Sequence, residues 1–338
     1  MDKIIFIGGA RDYHAMDWYR TVKSICKTKG IIFVTDSIDG ESFDRLINEN
    51  DDIIELFNID RFLFRKQSKY GNIWRNIVKL LVLPIQILCL KSIARKYPSS
   101  VFHAIPMYYM FLCMLARIPF IGTPQGSEIL VRPYKSKLYR YFARKCLLAA
   151  KYITVDSVNM SNKILELSGK KAEIIQNGID VDAILPMAIK NSIREHVVTL
   201  RGFTSLYRIN EILDARERSN LKPKLHFIYP FIEESYKKKV EKKLKESDAD
   251  LGRLSKDQMY KLLISSKLAL SIPVSDSSPR SVYEAIFCGC CVAVTYNPWI
   301  EAISECMKTR LFIVDLDDKF WFDKALEYAE KIAKIPYI

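Results

Sequence analysis

The sequence predicts an α/β protein with two doubly wound domains, each built on a parallel sheet. Short apolar runs typical of buried strands alternate along the chain with longer segments of helical periodicity, and this alternation favours parallel strands joined by crossover helices. The chain has 338 residues, enough for two α/β domains of roughly 150 residues each. Apolar residues make up 49% of it, so both domains can bury a core.

The first predicted domain covers residues 1–185. A strand at 3–7 runs into the turn Gly8–Gly9, which lacks the spacing of a dinucleotide-binding fingerprint. Helices are predicted at 17–29 and 107–116. Further strands are predicted at 30–35, 101–104, 120–123, 151–155 and 173–176.

The second predicted domain covers residues 186–318. The predicted linker, a segment of mixed polarity at 183–195, spans the start of this domain. Its lysine-rich segment 233–246 is predicted to be a helix with a solvated face. Residues 319–338 are predicted to contain a last helix that packs on other elements and crosses back towards the first domain, since apolar residues recur there at helical spacing. Strands are predicted at 196–200, 224–229, 267–274, 291–295 and 311–314.

Charge and cysteine content limit the classes of partner. The chain carries 52 basic and 39 acidic residues, a net charge of +13 that favours nucleotide diphosphates, nucleic acid or an anionic membrane. The eight cysteines and four histidines do not form the paired clusters of a zinc site, so we expect no metal, and free thiols fit a reducing cytosol. No recognisable nucleic-acid-binding module occurs, so we expect no nucleic-acid partner.

The segment 275–289 carries the strongest functional pattern. It follows a predicted strand and contains a polar loop with Pro279 and then a predicted helix, which is where α/β sheets bind ligands. The helix N-terminus offers unpaired N–H groups that suit phosphate, and the Glu284 carboxylate can accept two hydrogen bonds from a ribose diol. A helix capped by Ser278 or Ser281, with Glu284 in solvent, explains the same residues equally well.

Two acidic residues frame this segment. Asp276 and Glu284 are separated by seven residues and followed by Ala285, a turn at Gly289 and a strand at 291–295. This spacing and setting resemble the nucleotide-sugar signature of GT-B glycosyltransferases of the family 4 type. The first acidic residue of that signature is usually Glu, and Asp276 stands in its place.

The resemblance implies the GT-B fold, in which two Rossmann-like doubly wound domains face a central cleft. It also implies that Glu284 binds the ribose of a nucleotide-sugar donor and that Asp276 binds hydroxyls of the donor sugar. Ser278, Ser281 and Val282 are expected to complete the donor site, the last two at the phosphates.

The first domain resembles the family at its own strand ends. Residues 125–129 resemble a His-Gly-Ser-Asp-Ile segment whose first residue lies beside the reacting sugar. Gln125 replaces that histidine, so its side chain cannot transfer a proton but can hydrogen-bond the donor, with Gly126 next to it in the turn. A simple turn between strand and helix is the alternative. The resemblance also implies that Gly8 and Gly9 lie near the donor phosphates or the acceptor.

Two arginines follow the first strand of the second domain. Arg201 matches a family position whose basic residue neutralises the leaving diphosphate, and Arg208 is expected to be the second such residue, although the gap between them is longer than usual. Guanidinium groups can bind phosphate through paired hydrogen bonds and stabilise the charge that builds on it. Two surface arginines are the alternative. Residues 252–259 resemble the family's turn beside the nucleobase.

The resemblance implies an enzyme that moves a sugar from a nucleotide-diphosphate donor to an acceptor hydroxyl. The implied reaction is of the hexosyltransferase type, retains the anomeric configuration and needs neither metal nor cofactor. Synthesis of cell-surface polysaccharide or of a lipid-linked glycan is the expected setting. One alternative is a nucleotide-sugar-binding scaffold subunit of a glycan assembly complex, which Gln125 and Asp276 leave open. A nucleic-acid-binding protein is the other, and only the charge favours it.

The segment 61–75 interleaves basic and aromatic residues. It is predicted either to lie on an anionic membrane or to form an amphipathic helix whose aromatic side chains enter the core. The apolar run 77–90 is shorter than the about 20 residues that a spanning helix needs. The N-terminal residues show no signal-peptide pattern. We therefore expect a cytoplasmic protein with peripheral association at the inner face of the plasma membrane.

Overall fold

The computed structural model describes most of the chain and divides it into two units. The described residues are 3–10, 12–26, 30–35, 52–57, 71–176, 178–188, 193–229, 232–333 and 335. One compact unit ends at Ile175 and the other begins at Gln176. Residues 61–70 of the basic and aromatic segment lie outside the described residues, as does Asn177.

The first unit is built on a sheet of seven strands. They are β1 (Ile4–Ile7), β2 (Ile31–Thr35), β3 (Asp52–Glu55), β4 (Val101–Ala104), β5 (Phe120–Gly122), β6 (Tyr152–Val155) and β7 (Glu173–Ile174). Their order across the sheet is β3-β2-β1-β4-β5-β6-β7, and every described pairing is parallel. β1 and β4 are central and almost wholly apolar, because a parallel sheet is covered by helices on both faces.

The helices of the first unit lie on opposite faces of this sheet according to the direction of the crossover. They are α1 (Tyr13–Ile25), α2 (Gly71–Lys96), α3 (Met107–Ala116), α4 (Gly126–Leu130), α5 (Arg132–Lys135), α6 (Lys137–Ala149) and α7 (Val158–Ser168). The connections from β3 to β4, β4 to β5 and β5 to β6 all run the same way along the sheet. Right-handed crossovers therefore place α2, α3 and α6 side by side on one face and α1 on the other.

The second unit is built on a six-stranded parallel sheet with the order β10-β9-β8-β11-β12-β13. Its strands are β8 (His196–Thr199), β9 (Leu225–Ile228), β10 (Ala249–Gly252), β11 (Ser266–Ser271), β12 (Cys291–Val294) and β13 (Leu311–Ile313). Its helices are α8 (Val181–Ala188), α9 (Ile209–Arg218), α10 (Glu234–Glu241), α11 (Lys256–Ile264), α12 (Arg280–Phe287), α13 (Glu305–Lys308) and α14 (Trp321–Ile332). Short 3₁₀ helices occur at Ser205–Tyr207 and Pro298–Ala302.

α14 packs on the second sheet. Trp321, Phe322 and Leu326 are buried in the same apolar cluster as Leu268 and Leu270 of β11. The apolar spacing read from the sequence therefore corresponds to a face that covers this sheet.

The strands predicted from the sequence are present, most of them shorter at one or both ends. β3 and β10 were missed, because each is an edge strand with polar residues in a run of only four. The predicted linker at 183–195 is helical in its first part, since α8 runs to Ala188 and buries Ile184 against the apolar side of α11. The first predicted helix begins at Tyr13 instead of residue 17, because Asp12 caps it by accepting a hydrogen bond from the His14 amide.

Candidate functional site

At the second sheet, an ion pair joins the carboxyl ends of two neighbouring strands. Arg201 follows β8 and Asp276 follows β11, and these strands pair with each other. The Arg201 guanidinium donates to Asp276 Oδ2 at 2.5 Å through Nη2 and to Ser271 Oγ at 2.7 Å through Nε. Both charged side chains are largely buried, with exposed fractions of 11% and 16%. The tertiary structure thus brings two predicted site residues into direct contact.

The Asp276 loop is held by the next strand as well. Asn297, which follows β12, accepts a hydrogen bond from the Asp276 amide at 2.9 Å. Asn297 in turn donates to the Thr295 carbonyl at 3.2 Å, and the Thr295 hydroxyl donates to the Pro273 carbonyl at 2.7 Å. These contacts fix the loop at the carboxyl edge of the sheet.

Glu284 is buried near the start of α12 rather than solvated. Its exposed fraction is 3%, and Oε1 contacts the Lys256 ammonium and accepts a hydrogen bond from the Tyr260 hydroxyl at 3.2 Å. Arg280 Nε lies 3.5 Å from the same oxygen. Burial, and then the neighbouring Glu284 carboxylate, raise the pKa of Tyr260 well above its usual range, so that Tyr260 remains a donor. A buried carboxylate with an exposed lysine partner can exchange that partner for a ligand hydroxyl.

The N-terminus of α12 lacks a side-chain cap. Pro279 is the N-cap residue and makes no side-chain hydrogen bond to the helix. The preceding Ser278 is 8% exposed, and its Oγ has no hydrogen-bond partner among the described residues. Ser281 lies half-buried in the first turn, whereas the Val282 side chain is wholly buried in the apolar cluster, so only its backbone is available to a ligand. A buried hydroxyl beside an uncapped helix N-terminus is suited to an anion.

Arg208 lies at the N-terminus of α9 and has a left-handed backbone conformation, with φ of 51°. Its side chain is half-buried and forms no hydrogen bond or ion pair with the rest of the described chain. Tyr207 places its ring 5.3 Å from the Arg201 guanidinium, and burial raises the pKa of this tyrosine. Arg208 is therefore not brought into the Arg201–Asp276 contact.

The first unit has its own polar group at the carboxyl edge of its sheet. Gln125, which follows β5, donates to the carboxylate of Asp12, which follows β1. Burial is the main cause that raises the pKa of Asp12, and the neighbouring His14 opposes it. Gly8 lies between these elements, and a Cβ there would stand 3.2 Å from both Ala15 Cβ and the Ile105 carbonyl, a tight approach that would require a small shift of these neighbours. At Gly9 a Cβ would meet the Tyr109 hydroxyl at 3.5 Å, an ordinary contact.

Glu128 accepts further hydrogen bonds at the carboxyl edge of the first sheet. It lies in α4, is 4% exposed, and its Oε2 accepts hydrogen bonds from the amides of Gln125 at 3.0 Å and Met107 at 2.9 Å. Gln125 and Glu128 form a reciprocal capping box that starts α4 at Gly126. Burial raises the pKa of Glu128, and the two amide hydrogen bonds oppose that effect.

Beneath this edge, a chain of buried polar side chains links three strands. The His103 ring on β4 is hydrogen-bonded to the Thr123 hydroxyl at 2.8 Å, and Thr123 contacts the Thr154 hydroxyl on β6. Burial lowers the pKa of His103 to about 4. The histidine is therefore neutral at pH 7.

The predicted residues fall into two groups, one at each sheet. Gly8, Gly9, Gln125 and Gly126 lie at the carboxyl edge of the first sheet, and the others lie at the carboxyl edge of the second. The residues that contact them and that sequence reasoning missed include Asp12, Glu128, Lys256, Tyr260, Ser271 and Asn297. Lys256 falls in the segment that resembles the nucleobase turn, but its partner on α12 could not be read from spacing alone.

A cavity of about 380 Å³ opens at the opposite, amino edge of the first sheet. It is lined by residues at the end of α2 and before β5, among them Lys91, Arg95 and Arg117. It does not include any of the predicted site residues. In the described part of the chain, no group of three or more His, Cys, Asp or Glu side chains is arranged to hold a metal ion.

Comparison with known proteins finds similarity at the level of structure. Neither a family profile nor a curated protein sequence matches the chain. The structure is similar to that of HepE from Anabaena in complex with UDP-glucose, with a TM-score of 0.73, 12% identity, and coverage of 98% of this chain and 92% of that one. It is also similar to sucrose-phosphate synthase from Thermosynechococcus elongatus, with a TM-score of 0.76, 11% identity, and coverage of 99% and 92%.

A third similar structure is a UDP-forming α,α-trehalose-phosphate synthase from Burkholderia vietnamiensis. The TM-score is 0.73 at 11% identity, with coverage of 100% of this chain and 93% of that one. At such low identity these likenesses show the fold alone. The predicted fold class is confirmed: the chain has the α/β fold of GT-B glycosyltransferases, with two Rossmann-like domains.

Proposed function

We propose that the protein is a glycosyltransferase that moves a sugar from a nucleotide-diphosphate donor to an acceptor hydroxyl. The observation that carries this proposal is the second carboxyl edge, where a buried carboxylate, an uncapped helix N-terminus and an arginine at the adjacent strand end occur together. Each of the three suits one part of a nucleotide sugar: ribose, phosphate and leaving-group charge. The similar structures include complexes with UDP and UDP-glucose, which makes a uridine diphosphate sugar the first donor to test.

Glu284 is proposed to bind the ribose. Its Oε1 lies against Lys256 and Tyr260. A ribose diol can replace the ammonium at this carboxylate, because Lys256 is half-exposed and can return to solvent. Asp276 is proposed to hold hydroxyls of the donor sugar while it keeps Arg201 in place.

Arg201 and Arg208 are proposed to neutralise the diphosphate without a metal. Arg201 uses two of its nitrogens on Ser271 and Asp276, and a guanidinium has five N–H donors, so donors remain for phosphate. Ser278, Ser281 and the backbone at Val282 are proposed to complete the phosphate site. The charge that builds on the leaving group would then be stabilised by fixed donors.

The proposed reaction retains the anomeric configuration. The bond between the anomeric carbon and the diphosphate oxygen breaks, and the acceptor oxygen bonds to that carbon from the same face. The acceptor proton passes to the departing phosphate oxygen. Gln125 is proposed to hydrogen-bond the donor sugar, because an amide can orient hydroxyls but cannot carry the proton.

The proposed setting is glycan synthesis by a hexosyltransferase of the family 4 type, in the cytoplasm at the inner face of the plasma membrane. All eight cysteines are free thiols, which supports a reducing compartment. None of the helices in the described ranges is long and apolar enough to span a membrane. A lipid-linked oligosaccharide or polysaccharide precursor is the acceptor we favour.

A nucleotide-sugar-binding scaffold subunit is the second candidate. Two observations favour it: an amide stands at Gln125, and the Asp276 carboxylate is already paired with Arg201. Such a subunit would bind the donor as described above but would not transfer the sugar to any acceptor.

Thermal unfolding with UDP, GDP and ADP sugars tests the proposed donor site, on wild type and on Glu284→Ala. A donor at a hundredfold its dissociation constant should stabilise the wild type by about 2.7 kcal/mol. The stabilisation should disappear in Glu284→Ala and persist in Glu305→Ala, a matched control on an exposed helix. No shift with any donor would contradict the proposed site. Donor binding without turnover on native membranes would favour the scaffold.

A further inference from the structure

We propose that one face of the first unit, formed by α2 and α6, docks on the surface of an anionic membrane. This goes beyond the proposed transfer reaction and does not depend on it, because membrane binding can be measured without a donor. The α2–α6 face consists of the outward side chains of these two helices, on the same face of the first sheet.

The charge of the chain is concentrated in this region. Residues 71–155, which include both helices, contain thirteen lysines and arginines and a single acidic residue, Glu128, which is buried. The remainder of the chain has 39 basic and 38 acidic residues, so twelve of the thirteen net positive charges arise here. α2 and α6 contain no acidic residue at all. Such a one-signed surface attracts anionic headgroups.

The outward side of α2 is apolar. Five aliphatic residues recur every three or four positions and therefore lie on one side of the helix: Ile77, Leu80, Leu81, Ile85 and Leu88. Leu80, Leu81 and Leu88 are 68%, 71% and 65% exposed. The opposite side, which includes Val82 and Leu90, is buried towards the sheet. A surface helix of a soluble domain normally turns polar residues outwards, so this apolar stripe calls for a partner.

The outward side of α6 combines apolar and cationic side chains. Its exposed apolar residues are Leu138, Tyr141, Phe142 and Leu148. Its exposed cations are Lys137, Arg140, Arg144 and Lys145. The Phe142 ring contacts Phe111 of α3 at 5.6 Å between centroids, so α6 adjoins α3, and α3 in turn adjoins α2. Apolar side chains among cations are typical of helices that lie in the membrane interface.

The position of α2 along the strand direction brings the α2–α6 face close to the carboxyl edge that carries Gln125. Gln86 donates to the Phe57 carbonyl, just beyond β3, at 3.0 Å and accepts from the Tyr108 hydroxyl at the start of α3 at 2.6 Å. Gln86 is therefore level with the carboxyl edge of the sheet. Residues 71–85 extend past that edge by about 22 Å at 1.5 Å per residue. Docking through Leu80 and Leu81 would hold this edge, with Gln125, next to a bilayer that supplies a lipid-linked acceptor.

A membrane fits this face better than a protein does. The face offers cations for phosphate headgroups and aliphatic side chains for the acyl boundary, without the acidic residues that a mixed protein interface would contain. α2 lies on the surface rather than across it, since it does not meet the criteria for a spanning helix. A second copy of the chain, equally cationic at this face, would be repelled.

The test is sedimentation of the full chain with vesicles of phosphatidylcholine alone or mixed with phosphatidylglycerol. Wild type should bind the mixed vesicles at least about tenfold more tightly, and salt should weaken that binding. Two variants separate the contributions: Leu80→Gln/Leu81→Gln removes apolar contact at constant charge, and Arg140→Gln/Arg144→Gln removes charge. Each should weaken binding by about tenfold or more.

Matched controls come from the second unit. Ile193→Gln/Leu221→Gln, at side chains 67% and 69% exposed, and Lys238→Gln/Lys239→Gln, at exposed lysines, should bind vesicles as wild type does. Unchanged melting temperatures and donor-induced shifts would show that the variants fold and that the donor site is separate. Equal binding to neutral vesicles, or full binding by Leu80→Gln/Leu81→Gln, would overturn the proposal. So would a concentration-dependent dimer that this variant abolishes, since a second copy would then cover the face.

Discussion

The polar side chains at the carboxyl edges of the two sheets differ in whether they have hydrogen-bond partners within the protein. At the first edge Asp12, Gln125 and Glu128 bind one another and nearby amides. At the second edge the Ser278 hydroxyl has no partner within the described chain, and no side chain caps α12. A buried polar group without a partner costs free energy. The second edge is thus kept ready for a polar ligand at some cost in stability, whereas the first is a finished scaffold.

This contrast explains why the donor is assigned to the second unit. A ligand gains most where protein groups are fixed but unsatisfied, as at Ser278 and the uncapped N-terminus of α12, whereas at Glu284 it must first replace Lys256. Gln125 would have to leave Asp12 before it could turn to a sugar. We therefore expect the second edge to contribute binding energy and charge stabilisation.

Arg201→Ala should produce the largest effect and would test this contrast directly. Without the guanidinium, charge on the leaving diphosphate loses a fixed donor, and turnover should fall about 10²- to 10³-fold. Arg201→Lys should recover only part, because an ammonium keeps the charge but not the paired donors. Steady-state kinetics with the donor found by thermal unfolding measures both.

Arg218→Ala is the control for this experiment, since Arg218 is exposed at the far end of α9, away from the site. Its turnover should stay within about twofold of wild type. If Arg201→Ala and Arg218→Ala proved equally active, the charge at the second edge would have no catalytic role.

The second edge was the more predictable one because its signals are local. A buried strand, a loop with Pro279 and a helix that carries Glu284 follow one another in the chain, so the sequence placed Asp276 and Glu284 around one turn, and the family resemblance implied their roles. The contact between Lys256 and Glu284 joins α11 to α12 across 28 residues. No periodicity encodes that pairing, which depends on how two crossover helices pack.

The first edge was less predictable for the same physical reason. Gln125 and Asp12 are 113 residues apart and meet only because β1 and β5 both flank β4. The outward stripe of α2 was also hidden, since residues 77–90 are apolar on both sides of the helix and their pattern does not reveal which side faces the sheet. The turn at Gly8 was visible, but the close approach of the Ile105 carbonyl, which favours glycine there, was not.

The pH dependence of stability at His103 tests whether the polar side chains beneath the first edge are closed to solvent. Burial lowers its pKa to about 4 in the folded protein, against about 6.5 in the unfolded chain. Between these values the unfolded chain binds more protons, so stability is full above pH 6.5 and falls as the pH drops towards 4. The contribution that is lost should be about 3 kcal/mol. Denaturant unfolding of wild type and His103→Asn across this range measures it.

The informative quantity is the difference between the two stability curves, because other groups titrate in the same range. That difference should change steadily from pH 7 to pH 4, since His103→Asn has no ring to protonate. Parallel curves would mean that His103 takes up its proton in the folded state and that the buried chain to Thr154 is open to solvent.

The smallest expected effects are those of Ser278→Ala and Ser157→Ala, which should change different properties of the protein. The Ser278 hydroxyl has no partner among the residues that the structure describes, so Ser278→Ala should leave stability within about 1 kcal/mol and weaken donor binding about fivefold. Ser157 accepts from the Met160 amide and caps α7, so Ser157→Ala should cost about 1 kcal/mol of stability and leave donor affinity intact. Titration calorimetry and denaturant unfolding give both values. Opposite patterns for one chemical change would show that a partnerless hydroxyl at the second edge serves a ligand, whereas a paired one in the first unit serves the fold. If Ser278→Ala lost stability and kept its affinity, the hydroxyl would have a partner within the protein and the contrast between the edges would fail.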